Sequence, residues 1–195
     1  MSKKPVTAII VGAGHRGFLY AKYALHYPDE MKIVGVADMN PHRRAQAAEM
    51  FGFGEDMCFE TAEDLAARPK LADAIINGTM DHQHVKTSIP LLEKGYDMLL
   101  EKPLAVNEEE MWQLVDVVRK HDNKVMICHV LRYSPFYAAI RQKILDGAIG
   151  DIINIQCNEY VSYHHMAMAY VRGKWNNTKR SHSSMLLAKS CHDMD

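Results

Sequence analysis

The sequence predicts an α/β fold. Residues 1–129 read as a doubly wound, parallel Rossmann sheet, and residues 130–195 as the start of an α+β second domain with a mainly antiparallel sheet, incomplete within this chain. Three observations lead there. A short apolar, β-branched run, Val6–Val11, ends in G-x-G-x-x-G at Gly12, Gly14 and Gly17, and a helical apolar rhythm follows from Phe18 to Leu25. A second apolar run from Met31 closes on Asp38, about 20 residues beyond the last glycine, which is the spacing of a ribose-binding acid. Strand-like and helix-like segments then alternate as far as His129.

The elements follow in order. Gly12 permits the tight turn out of the first strand, Gly14 lets a pyrophosphate approach the backbone, and Gly17 lets helix and strand pack closely. The helix then presents free N–H groups to the phosphates. Pro41 suits the first turn of a helix running to Met50. Cys58–Phe59 is a short third strand, and Thr61 with Asp64 opens a helix as a weak capping box. Asp73–Thr79 is a fourth strand, Asp81–Lys94 a helix that Pro90 should kink, and Gly95 its C-terminal cap. Tyr96–Leu100 is a fifth strand leading into Glu101-Lys102-Pro103. Asn107 caps a helix over Glu108–His121, with acids in its first turn and bases in its last. Lys124–His129 is a sixth strand. Ser134–Leu145 reads as a helix, Gly150–Val161 as a longer, partly alternating strand, and 162–184 as a polar loop before order resumes at Met185.

Composition narrows the classes. The 195 residues are 48% hydrophobic with net charge −1, so no polyanion-binding surface is indicated and no nucleic-acid partner is expected. No apolar run approaches the ~20 residues of a membrane span. The protein reads as cytoplasmic, with no membrane partner. Cys58, Cys128, Cys157 and Cys191 are too widely spaced to suggest a disulfide framework or a zinc site. His82 and His84 form a His-x-His pair without a third ligand at readable spacing, so no metal is expected. A lone long strand cannot make a stable sheet, which predicts that this chain is the N-terminal part of a longer protein.

Right-handed crossovers place the C-terminal ends of all six strands on one edge, and the ligand crevice belongs there. That edge carries Gly12, Ala13, Gly14, His15, Arg16 and Gly17, then Asp38, Thr79 and the following His84, then Glu101 and Lys102. Asp38 favours NAD over NADP, because a carboxylate repels a ribose 2′-phosphate by roughly 1–4 kcal/mol at about 4 Å, depending on the local dielectric. Arg43 and Arg44 are close enough in sequence to offset this, or they are an exposed helix face.

G-A-G-H-R-G at 12–17, Asp38, E-K-P at 101–103 and His192 together resemble the Gfo/Idh/MocA oxidoreductases, the family of glucose–fructose oxidoreductase and inositol dehydrogenase. Arg132-Tyr-Ser-Pro135 and Gly147-Ala-Ile-Gly150 resemble that family's entry into its second domain. The resemblance spans essentially the whole chain. It implies a nicotinamide cofactor, a small sugar or cyclitol substrate, hydride transfer at a hydroxyl carbon, and a homo-oligomer at full length. It implies catalytic roles for Lys102 and His192, and places His84 beside the cofactor or at the start of a helix. A lysine suits proton transfer where desolvation or positive neighbours bring it down from about 10.4. The family's pattern has Asp four residues before the histidine, and this chain has Ala188 there. Lys189, Asp193 or Asp195 could substitute, and Lys189, as an added positive charge, would favour an anionic substrate or a lowered pKa in a neighbour. His165 and Arg172, in a stretch with Tyr163, Tyr170 and Trp175, are candidate substrate contacts, since aromatic rings with arginine suit sugar faces and carboxylates. The rival readings are a glycosidase that keeps NAD bound and works by transient oxidation, and a redox-silent NAD-binding sensor. Lys102 argues against the sensor.

Overall fold

The computed structural model describes residues 4–195. The chain divides after Ile127 into two units. The first alternates β1 (Val6–Val11), α1 (His15–Ala21), α2 (Tyr23–His26), β2 (Met31–Ala37), α3 (Pro41–Phe51), β3 (Cys58–Phe59), α4 (Ala62–Ala66), β4 (Ala74–Asn77), α5 (His84–Leu92), β5 (Asp97–Leu100), α6 (Glu108–His121) and β6 (Val125–Ile127). The strands lie in the order β3-β2-β1-β4-β5-β6, and each adjacent pair is parallel. This is the Rossmann order, with its reversal of direction between β1 and β4.

The sheet is buried on both faces, which is why its strands read as continuous apolar runs. Along β1 the side chains alternate. Ile9 and Val11 enter a core with Ile75, Leu91, Tyr96, Leu100 and Leu114. Ala8 and Ile10 enter a second core with Ala21, Ile33, Val36, Ala47 and Ile76. Local signals set the helix starts. Asn40 accepts from the His42 N–H at 2.9 Å ahead of Pro41. Thr61 and Asp64 close a full capping box. Asn107 accepts from the Glu110 N–H at 2.9 Å, with Glu108, Glu109 and Glu110 in the first turn of α6.

Two helices depart from their sequence signals. The helix expected over 18–25 begins earlier, at His15, and is broken at Lys22 into α1 and α2. The one expected over 81–94 opens with a 3₁₀ turn, Asp81–Gln83, and α5 then runs through Pro90 to Leu92. Pro90 removes one backbone hydrogen bond, but Val85, Ser88, Leu91 and Leu92 are buried along the helix. Packing of that face, the main source of helix stability in proteins, outweighs the lost bond.

The second unit is helical where it is regular: a 3₁₀ turn at Val130–Tyr133, then α7 (Pro135–Leu145), α8 (Tyr163–His165), a π-helical stretch Met166–Val171, α9 (Thr178–Ser181) and α10 (Met185–Met194). The strand expected over 150–161 does not form. Ile153, Ile155 and Tyr160 there are 97%, 69% and 90% exposed, and no strand is present among the described residues of this unit to complete a ladder. The expected loop over 162–184 instead contains three helical segments, the first capped by the Ser162 hydroxyl and the last by the Asn177 side chain. Among the described residues, no helix is long and apolar enough to cross a membrane.

Tyr96 joins several elements of the first unit. Its ring is fully buried, its hydroxyl accepts from the Leu71 N–H at 2.9 Å, and its carbonyl accepts from Asn123 Nδ2 at 2.9 Å. Replacing Tyr96 by Phe removes only the acceptor for Leu71 and should cost about 1 kcal/mol of stability. Tyr96→Ala should cost about 3–5 kcal/mol through the cavity. Urea denaturation midpoints of the three proteins check the ordering.

Candidate functional site

The candidate site of the first unit lies where β1 and β4 part. The turn after β1 sits directly against the turn after β4. Gly12 has φ +79°, and a Cβ on it would lie 2.7 Å from the Thr79 nitrogen. A Cβ on Gly17 would collide with the Gly12 carbonyl oxygen, and one on Gly78 would lie 2.9 Å from the Gly17 nitrogen. Gly14 differs, because a Cβ there meets nothing within 4 Å. The loop is thus closed toward the protein at Gly12 and Gly17 and open at Gly14, where α1 begins. That is the cradle a dinucleotide pyrophosphate needs, with backbone N–H groups and a helix start beside clear space. Ala13 and Gly17 are buried, while His15 and Arg16 are exposed.

Asp38 follows β2. One carboxylate oxygen accepts from the Asn40 N–H at 2.8 Å, and the other lies 3.6 Å from Arg43 Nη1. Arg44 Nη1 donates to the Asp38 carbonyl at 2.6 Å. Both arginines therefore turn toward Asp38, whereas the sequence allowed them to be only an exposed helix face.

The loops after β4 and β5 are fastened from behind. Asn77 is buried at the end of β4. Its amide nitrogen donates to Ser88 Oγ at 3.0 Å and Thr87 Oγ1 at 2.9 Å on α5, and its oxygen accepts from the Thr79 hydroxyl at 2.8 Å. Glu101 is a buried carboxylate just past β5. It accepts from the Tyr20 hydroxyl at 2.6 Å and from the Lys102 N–H at 2.9 Å, with Arg16 Nε 3.7 Å away. Glu101 thus ties the Lys102 backbone to α1. Lys102 itself is half-buried. His84, the first residue of α5, is 1% exposed. Its Nδ1 lies 2.7 Å from the Pro103 carbonyl oxygen and its Nε2 lies 3.2 Å from the Thr79 carbonyl oxygen. Burial pushes its imidazole below the ordinary histidine value, outweighing the opposite pull of the Pro103 carbonyl and of Asp81. Its ring nitrogens are therefore directed at the chain's own loops.

In the second unit, Asp195 is the centre of a polar cluster. Its carboxylate accepts from Arg132 Nη2 at 2.6 Å and Nε at 3.0 Å, and lies 2.9 Å from His129 Nδ1. Arg132 holds the Asp195 carboxyl below its ordinary value, with His129 adding to the effect. The ring of His192 meets the ring of His129 edge-on, with centroids 5.8 Å apart. Ala188 is buried, so a small apolar side chain fills the position four residues before His192. Of the three candidate substitutes, Asp195 supplies the carboxylate that reaches this histidine cluster, through His129. Lys189 is half-buried on the same helix. The His165 ring stacks on Tyr170 with centroids 6.2 Å apart, and Tyr170 packs against Trp175. Arg172 is exposed at the end of that stretch. Sequence reasoning did not assign the Arg132–Asp195–His129 cluster. Its signals were the R-Y-S-P stretch and the place of Asp195 among the three candidate substitutes, and a partner 63 residues away leaves no local pattern to join them.

The family model described as "Oxidoreductase family, NAD-binding Rossmann fold" (GFO_IDH_MocA) matches residues 6–129. A protein named YteT from Bacillus subtilis (strain 168) is 28% identical over 184 residues, covering 91% of this chain and 40% of YteT. The chain spans less than half the length of the curated relatives it matches. The WlbA dehydrogenase of Bordetella pertussis, solved in complex with NADH and UDP-GlcNAcA, superposes with TM-score 0.77 at 19% identity, over 99% of this chain and 56% of that one. The scyllo-inositol dehydrogenase of Lactobacillus casei, solved with bound NAD(H) and scyllo-inositol, superposes with TM-score 0.70 at 23% identity, over 76% of this chain and 43% of that one. These two likenesses establish the shared fold. Sequence motif, sheet order and family match agree, and the chain belongs to the Gfo/Idh/MocA oxidoreductases, a family with an NAD-binding Rossmann fold.

Proposed function

We infer that the protein is an NAD-dependent dehydrogenase acting on a hydroxyl carbon of a sugar, sugar derivative or cyclitol. The observation that carries this reading is Lys102, which follows β5 on the same sheet edge as the glycine cradle and is anchored by the buried Glu101. Solved relatives of the same fold bind NADH with a UDP-sugar, or NAD(H) with an inositol, which supports the substrate class. The open face at Gly14 holds the pyrophosphate, and Asp38 accepts from the ribose diol. The bound nicotinamide supplies a hydride acceptor. The Lys102 amine takes the proton released from the substrate hydroxyl and passes it on. His192, with His129 held by Asp195, serves as a second acid–base group, and His165, Arg172 and Lys189 are the substrate-side candidates. In this reading the protein works as a homo-oligomer with a small-molecule partner.

The test is production of NADH, followed at 340 nm, by the purified intact protein with NAD and a panel of sugars, sugar acids and inositols. Lys102→Ala should lower kcat by about 10²–10⁴ while leaving NADH binding intact. Unchanged turnover in that variant would remove Lys102 from the mechanism. Hydrolysis of a glycoside without net NADH would overturn the dehydrogenase reading.

Cofactor choice follows from Asp38. A 2′-phosphate brought beside this carboxylate meets repulsion, and Arg43 at 3.6 Å offsets only part of it. Fluorescence titration should show NADH binding at least about tenfold more tightly than NADPH. Asp38→Ala should narrow that ratio. The glycines give a second expectation. Gly14→Val should leave the melting temperature nearly unchanged and weaken NADH binding, since the added side chain fills open space. Gly12→Ala should lower the melting temperature, because its Cβ strikes the Thr79 backbone at a positive φ. Parallel thermal melts and NADH titrations of the two variants read the difference.

A further inference from the structure

His84 is the group whose geometry the proposed chemistry does not use. Its imidazole is buried, and the two atoms it faces belong to two different loops of the crevice edge: the Thr79 carbonyl after β4 and the Pro103 carbonyl after β5. A neutral imidazole carries one N–H, so it cannot donate to both. The shorter contact assigns the proton to Nδ1, donated to Pro103 at 2.7 Å, and leaves Nε2 against the Thr79 oxygen at 3.2 Å. Burial favours this neutral ring. The residue before Pro103 is Lys102, and the residue before that is Glu101, whose carboxylate is held by Tyr20. The E-K-P strap is therefore gripped on each side of the lysine by a buried side chain: Glu101 toward α1, and His84 from the start of α5. Asn77 locks α5 to β4 at Thr87 and Ser88, within one turn of the histidine, and so gives it a rigid base.

We propose that His84 is a positioning residue, donating from Nδ1 to the Pro103 carbonyl and so fixing the strap from which Lys102 projects. This rests on the reading of Lys102 as the proton carrier, and it makes His84 a support for the lysine and not a contact of the cofactor. The geometry also sets which replacement should work. The amide nitrogen of an asparagine sits where Nδ1 of histidine sits, and the amide nitrogen of a glutamine sits nearer the place of Nε2.

The experiment compares His84→Asn, His84→Gln and His84→Leu in the intact protein. It has two readouts. The first is the rate at which Lys102 is modified by a small acylating reagent in the cofactor-free protein, followed by peptide mass spectrometry across pH and normalised to the other lysines. The second is kcat, KM and the NADH dissociation constant. His84→Asn should stay within about twofold of the parent in both readouts. His84→Gln and His84→Leu should shift Lys102 labelling by about threefold or more and lower kcat by about tenfold or more, with the NADH dissociation constant within about twofold, as expected when a reacting group is displaced by less than 1 Å. If Lys102 labelling is the same in all four proteins and only their melting temperatures differ, His84 is helix packing and the proposal fails. If NADH binding weakens in step with the loss of the ring, His84 contacts the cofactor and the proposal fails in the other direction. Should His84→Leu not fold, the Asn–Gln pair still decides. The labelling readout does not depend on turnover. Loss of the Lys102 role would therefore appear as unchanged kcat in Lys102→Ala, with the labelling pattern of the His84 variants intact.

Discussion

The first unit depends on one close contact between backbones. The turn at Gly12 and the start of α1 at Gly17 lie against Gly78 and Thr79 with no room for a Cβ at Gly12, Gly17 or Gly78. Two hydrogen bonds fix the approach: Gly12 N–H to the Ala37 carbonyl and Gly78 N–H to the Val11 carbonyl, each at 2.8 Å. Here the sheet reverses its winding between β1 and β4. If a side chain stood here, α1 would be levered off the sheet and the space at Gly14 would lose its walls. A positive φ at Gly12 completes the requirement, since only glycine adopts it without strain.

Behind that contact, polar groups rather than apolar ones hold the crevice loops. Asn77, His84 and Glu101 are each buried, and each has partners on a neighbouring element. A buried polar group without partners costs about 1–3 kcal/mol, so such groups persist where they specify a geometry. Asn77 binds β4 to α5. His84 binds α5 to the Pro103 carbonyl. Glu101 binds the Lys102 N–H to Tyr20 on α1. The three therefore connect the glycine turn's neighbours, β4, α5 and α1, to the lysine strap through buried side chains.

Much of this was legible in the sequence because the signals are local. The glycine spacing, the acid after β2, the capping residues Asn40, Thr61 and Asn107, and the E-K-P strap each act within a few residues of one another. The six strands came from apolar runs that a doubly buried parallel sheet requires. What stayed hidden depends on distant partners. Glu101 and Tyr20 are 81 residues apart, and Asp195 and Arg132 are 63 apart. Pro90 does not end its helix, because the burial of Leu91 and Leu92 is a tertiary fact that outweighs a local breaker. The alternating segment over 150–161 shows the limit of pattern reading. Periodicity marks which residues would face a core, but a strand exists only when a neighbour supplies its hydrogen bonds.

Ala188 and Asp195 show how the second unit arranges charge near its histidines. The two are seven residues apart, about two turns, so they share one stripe of α10 and its C-terminal cap. At Ala188 a carboxylate would be buried, and Ala is the residue present, 2% exposed. At Asp195 the carboxylate has the Arg132 guanidinium on two nitrogens and His129 Nδ1 beside it. The arginine holds that carboxyl ionised, and an ionised carboxylate orients the His129 ring and favours a proton on Nδ1. His192, three residues before Asp195, meets the edge of that oriented ring. The helix therefore couples its histidine to a carboxylate indirectly, through a second imidazole.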